Sequence, residues 1–314
     1  MKLATCSLED RSFVAVATDD GRVVDLAAAD AELARKEERP PHAFFRDMID
    51  FLEHGTQARE AADKAVREGL DGSAAHPLSG VRLRAPVPVP RKLFCLAGNF
   101  QDHIEEGGGK MDSQDKETPR FFMKPASTCV IGPEDSIRIP PVARAMDWEG
   151  ELAVVLGRRC KKVSRDQALD YVAGYTIMND VSERKLKIWP RSEDRPQDRW
   201  FDWLNGKWLD SAAPMGPWIV TTDEIRDPQT LMISTYVNGD RKQHNSTSQM
   251  LISVAALIEY ISAIVMLEPG DVISTGTVSG VGNVTGEYLK QGDRVEVDIS
   301  RIGLLSNPVA ASSS

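Results

Sequence analysis

Beyond residue 90 the chain alternates short apolar runs with turn residues, and the runs have the length of strands rather than of helices. They cover 92–97, 121–124, 129–131, 151–156, 172–178, 218–221, 232–237, 271–275 and 293–299. Asn238-Gly239, between two of them, predicts a hairpin turn, because both residues tolerate positive φ. One stretch, 250–265, places apolar residues at helical spacing and closes at Glu268-Pro269-Gly270. Before residue 90 the pattern differs. Residues 1–28 hold strand-like runs around Asp19-Asp20-Gly21, 25–67 read as helix broken at Pro40-Pro41, and the proline-spaced 85–90 reads as an extended linker. The pattern predicts a β-rich α+β fold: a small α/β N-terminal domain over 1–88 and a larger domain over 89–314, ending in a flexible tail at 310–314.

One run places acids where a core strand should begin. In Asp147-Trp-Glu149-Gly-Glu151, followed by the apolar 152–156, Glu149 and Glu151 lie two residues apart, so on a strand they share a face about 6–7 Å apart. A second apolar run, 171–178, ends at Asn179-Asp180. Three converging carboxylates repel unless protonated or neutralised, and an oxygen-only set suits a hard divalent cation. The other reading puts Glu149 and Glu151 on the wet face of an edge strand, with Asp180 capping a helix that starts at Val181.

Bulk properties narrow the classes. The chain has 314 residues and 41% hydrophobic content, enough for a sizeable core. A net charge of −9, with no dense Lys/Arg stripe, argues against nucleic acid as a partner. No run reaches the roughly 18–20 apolar residues of a membrane span, and no signal-peptide core stands at the start, so a cytoplasmic protein without a membrane partner is expected. Cys6, Cys95, Cys129 and Cys160 form no CxxC pair and are expected as reduced, packed thiols.

Other residues could carry chemistry. Residues 96–106 start as strand, turn at Gly98-Asn99 and predict a short helix on which His103 and Glu106 share a face. A carboxylate can hold a neutral imidazole as a general base, although a polar surface helix carries the same pattern. Lys124 and Lys207 are cations beside apolar neighbours, able to hold a substrate carboxylate or simply to snorkel. The glycine-rich 275–282 could cradle an anion but is no P-loop.

In this order, 98–106, 121–125, 147–157, 174–184, 206–218, 253–262 and 267–282 resemble the fumarylacetoacetate hydrolase family over most of residues 90–300. The resemblance implies a mixed β-roll as catalytic fold, a homodimer, and Mg²⁺, Mn²⁺ or Ca²⁺ held by Glu149, Glu151 and Asp180. It makes His103 and Glu106 a water-activating pair and sets Lys207 beside the metal. It also assigns substrate contacts to Phe100, Lys124, Arg184, Lys187 and Thr277. The implied reaction is hydrolysis of a C–C bond in a 2,4-diketo acid, giving a carboxylic acid and pyruvate or a related 2-keto acid. The alternatives are an isomerase or decarboxylase acting on a 2-hydroxy-dienedioate or oxo-dicarboxylate of aromatic catabolism, and a non-catalytic protein that binds a keto acid or merely dimerises. Two departures bear on the substrate: Glu183, Lys185 and Lys187 alter the segment after Asp180, and Phe100 stands where many members have tyrosine. The tryptophan-rich 188–205 reads equally as a mobile lid or as a loop pinned at the surface.

Overall fold

The computed structural model describes residues 1–70, 72–110 and 118–312. Its centre is the strand Gly150–Leu156, every residue of which is buried. An apolar run without alternation must be covered on both faces, and two packed layers do this. The strand pairs antiparallel with Val172–Asn179 on one side and Val272–Thr277 on the other. Beyond Val172–Asn179 the sheet continues through Ala213–Thr221 to Lys2–Leu8, Arg11–Ala17, Arg22–Asp25 and Ala75–Pro77. In the other direction it passes to Leu93–Ala97, parallel to its neighbour, and to Arg120–Met123.

One face of this sheet packs on a second sheet, ordered Asp240–Ser246, Met232–Val237, Arg294–Ile299, Gly303–Ala311 and Ile137–Ile139. Leu152, Val154, Leu156 and Ile177 meet Ile233, Val297, Ile299 and Leu305 there. Ala153, Val155, Met178 and Ile219 belong instead to a core shared with Leu26, Leu33, Phe45 and Phe51 of the N-terminal helical segments. The result is the expected β-rich α+β architecture with mixed sheets.

Several local expectations change. The 85–90 stretch is not a free linker, because Ala85 and Val87 are core residues and Thr5 Oγ1 donates to the Pro86 carbonyl at 2.7 Å. The helix expected over 250–265 runs Val254–Ile264, with the Ser253 hydroxyl accepting from Ala256 N–H. Residues 251 and 252 stay outside because their N–H groups donate to the backbone and side-chain oxygens of Asn99. Residues 310 and 311 finish the Gly303–Ala311 strand rather than a tail, while 313–314 lie outside the described residues. Pro196–Asn205 forms a helix within the 188–205 segment. The Asn238-Gly239 turn forms as expected, with φ of 53° and 85°.

Candidate metal centre and catalytic cleft

Glu149 and Glu151 flank the first residue of the central strand, and Asp180 follows the last residue of its neighbour, its N–H bonded to the Glu149 carbonyl at 2.9 Å. Ligand oxygens of the three acids lie within 4.8 Å of one another, and all three residues are buried. Gly150, between the two glutamates, lets the second sheet pack close to this strand head: a Cβ there would stand 2.2 Å from Thr235 Oγ1 and 2.9 Å from Val297 Cγ1. The edge-strand and helix-cap readings both fail, since the strand is paired on both sides and Ser182–Glu183 is itself a strand.

The three acids sit in different fields. Burial works against ionisation of Glu149, but the charges of Lys207 and Arg184 outweigh it and hold the carboxyl well below the usual range. Lys207 Nζ is 2.7 Å from Glu149 and 2.8 Å from Asp180, while Arg184 joins Glu149 to Asp147. Among the described residues no cation pairs directly with Glu151, and the charge of Lys207 acts on it only weakly. Burial, then repulsion from Asp180 and Glu149, pushes its carboxyl well above the usual range. Glu151 Oε2 accepts from Ser274 Oγ and from Gly276 N–H at 2.9 Å, whereas Oε1 is buried with no partner. An unpaired buried oxygen facing two other carboxylates is what a divalent cation relieves, and the all-oxygen donors fit a hard ion. Lys124, fully buried, donates to Asp180 at 2.6 Å and to the Val181 carbonyl at 3.0 Å, fixing this acid from behind.

Glu149, Arg184 and Lys207 line a cleft of about 240 Å³ together with Leu96, His103, Arg120 and Thr277, among others. His103 stands on the helix Gln101–Glu106, its Nδ1 2.8 Å from Glu106 Oε1. Glu106 is anchored by Gly280 N–H at 2.7 Å, so the pair is braced against the glycine-rich loop, on a helix none of whose residues is fully buried. Thr277 accepts from Gln243 and donates to the Gly150 carbonyl.

Three expected substrate residues lie outside the cleft lining, Lys124 being buried behind Asp180. Phe100 is enclosed in the apolar core, and Lys187 is on an exposed loop beside Asp194 at 3.1 Å. Sequence reasoning missed Arg120 and Trp203 in the cleft wall, and Asp147 and Gln243 behind it. Asp147 carried a signal, being a further acid in the same motif, and Trp203 stands in the tryptophan-rich 188–205 segment that one reading made a lid.

The fumarylacetoacetate (FAA) hydrolase C-terminal family profile matches residues 92–310. The chain belongs to the fumarylacetoacetate hydrolase family. Over 98% of its length and the whole of the relative it is 38% identical to the oxaloacetate tautomerase YisK of Bacillus subtilis. Among solved structures, the 5-carboxymethyl-2-hydroxymuconate delta-isomerase of Mycobacterium smegmatis superposes with a TM-score of 0.71 at 31% identity, both chains fully covered. The maleylpyruvate hydrolase of Sphingobium sp. SYK-6, in complex with manganese(II) and pyruvate, gives 0.75 at 28% identity, again over both full chains. The fold is therefore that of the fumarylacetoacetate hydrolase family, whose relatives here bear tautomerase, isomerase and hydrolase names. Among the described residues no helix is long and apolar enough to cross a membrane.

Proposed function

We propose that the protein is a divalent-metal-dependent enzyme that interconverts the keto and enol forms of a chelating 2-oxo acid, with His103 carrying the proton. The observation behind this reading is the convergence of Glu149, Glu151 and Asp180, with Glu149 lining the same small cleft as the braced His103. A Mg²⁺ or Mn²⁺ ion held by the three acids supplies Lewis acidity, which makes the protons on C3 of a 2-oxo acid easier to remove. Glu106, accepting from Nδ1–H, fixes His103 in the tautomer whose Nε2 takes a proton from C3 and delivers it to the 2-oxygen to give the enol, and carries it from that oxygen back to C3 in the reverse direction. Lys207 neutralises charge developing on the 2-oxygen, and Arg120 and Arg184 give the cleft the positive wall a carboxylate requires. The likeness to an oxaloacetate tautomerase over the whole chain supports proton transfer without bond cleavage.

A second reading is hydrolysis of the C–C bond of a 2,4-diketo acid, which the same His103–Glu106 pair favours because it could deprotonate water instead. The likeness to a hydrolase holding manganese and pyruvate supports it. Two substrates separate the readings. Given Mn²⁺, the enzyme should accelerate decay of enol-oxaloacetate absorbance and release no pyruvate from acetylpyruvate. Rapid release of pyruvate and acetate, with no effect on oxaloacetate, would favour the hydrolase. The proposed assembly is a homodimer, read by light scattering on the eluting protein.

A further inference from the structure

The metal cleft does not end at Lys207. A second cavity of about 410 Å³ adjoins it, lined by Phe121, Phe122, Met123, Trp200, Leu204 and Trp208 together with Ala97, Arg120 and Trp203. The last three residues also line the carboxylate cleft, so the two spaces share a wall. Lys207 spans that wall: its Nζ is 2.8 Å from Asp180 and lies 5.1 Å and 5.8 Å from the ring centroids of Phe122 and Trp203. Trp203, which lines both spaces, packs on Phe122 with centroids 5.3 Å apart where the charged chamber adjoins the apolar one.

The apolar chamber is built, not incidental. The Trp208 indole N–H donates to the Met123 carbonyl at 3.0 Å, which turns the rest of its ring to the cavity. Trp200 and Met123 remain about half exposed at the rim. Large aromatic rings left open beside a catalytic cleft leave apolar surface in water, a cost that ligand burial removes. Arg120, in both linings, marks the junction where the polar part of a ligand gives way to its apolar part.

Resting on the 2-oxo acid reading above, we propose that the Trp200–Trp203–Trp208 cavity is a subsite for an apolar tail. The substrate is then a 2-oxo acid whose carboxylate and 2-oxygen face the acidic trio and whose carbon chain carries an aryl or alkyl group past Arg120.

The test uses two probes that differ by one ring, 2-oxobutanoate and 2-oxo-4-phenylbutanoate, titrated calorimetrically into the Mn²⁺-loaded full-length protein. The phenyl compound should bind about tenfold more tightly or better, as burial of one ring implies. Trp200→Ala and Met123→Asp, both at exposed rim positions, should cut that preference to less than about threefold while leaving 2-oxobutanoate affinity within about twofold. Equal affinities in the wild type, with 2-oxobutanoate binding intact, would overturn the tail subsite and spare the 2-oxo acid reading. Failure of both probes to bind would overturn both. A second copy of the chain is the other occupant such a surface could take. If Trp200→Asp converts a dimer to monomer and the phenyl preference persists, the cavity is an interface and the proposal falls.

Discussion

At Glu151 one carboxylate oxygen is satisfied by Ser274 and Gly276 while the other is buried and unpartnered. Proton and metal therefore compete for the same oxygen. Because burial and its acidic neighbours raise this carboxyl above its ordinary 4.5, metal binding should release protons and weaken as pH falls. The same shift sets a sign for stability: a carboxyl raised by folding stabilises below about 4.5 and loses that contribution as pH rises through its raised value. Melting curves of metal-free protein should show Tm falling over that window, and Mn²⁺ should restore it. For His103→Ala we expect kcat for enol–keto conversion to drop by about 10²-fold or more with Mn²⁺ affinity unchanged. Retained turnover in that variant would remove histidine from proton transfer. Gly150→Ala tests the packing at the strand head, where the added Cβ meets Thr235 and Val297. It should lower Tm by several degrees or prevent soluble expression, in line with about 1–3 kcal/mol for overpacking. The metal acids were legible in sequence because two of them share five consecutive residues and the third ends the next apolar run. Gln243 and Arg120 were not, since each reaches the site through strand pairing that no local pattern encodes.

Among the elements, the short helix Gln101–Glu106 matters most, because six residues do not hold themselves in place. Asp102 Oδ2 accepts from Asn245 at 2.6 Å and Ser279 at 2.7 Å, and Glu106 takes Gly280 N–H, so two carboxylates moor the helix to the 279–280 loop. Asp102→Ala should lower kcat about tenfold through misplacement of His103, leaving Mn²⁺ affinity and Tm near wild type. A large Tm loss with normal kcat would assign Asp102 to folding alone. The helix and its His–Glu spacing were readable from sequence, but not the partners that moor it, which come from about 140 and 177 residues away. The Val254–Ile264 helix shows the converse limit. Its apolar spacing continues back to Met250, yet Asn99 claims the N–H groups of Leu251 and Ile252 and delays the start to Ser253.

Across the whole molecule, the acidic trio is buried because its strand lies between a second sheet and a helical layer. The β-rich class was legible from run length, but strand number was not, since Asp240–Ser246 and Gly303–Ala311 are strands that no apolar run announced. The pairing of Lys2–Leu8 with Ala213–Thr221 was not, because nothing local in either segment names a partner more than 200 residues distant. Calorimetric titration of Mn²⁺ into chelator-treated protein, with Glu151→Gln as the near-isosteric control, tests the central claim most directly. One ion per chain in the wild type and no saturable binding in a folded Glu151→Gln protein is the predicted result. Undiminished binding in the variant, or none in the wild type, would contradict it.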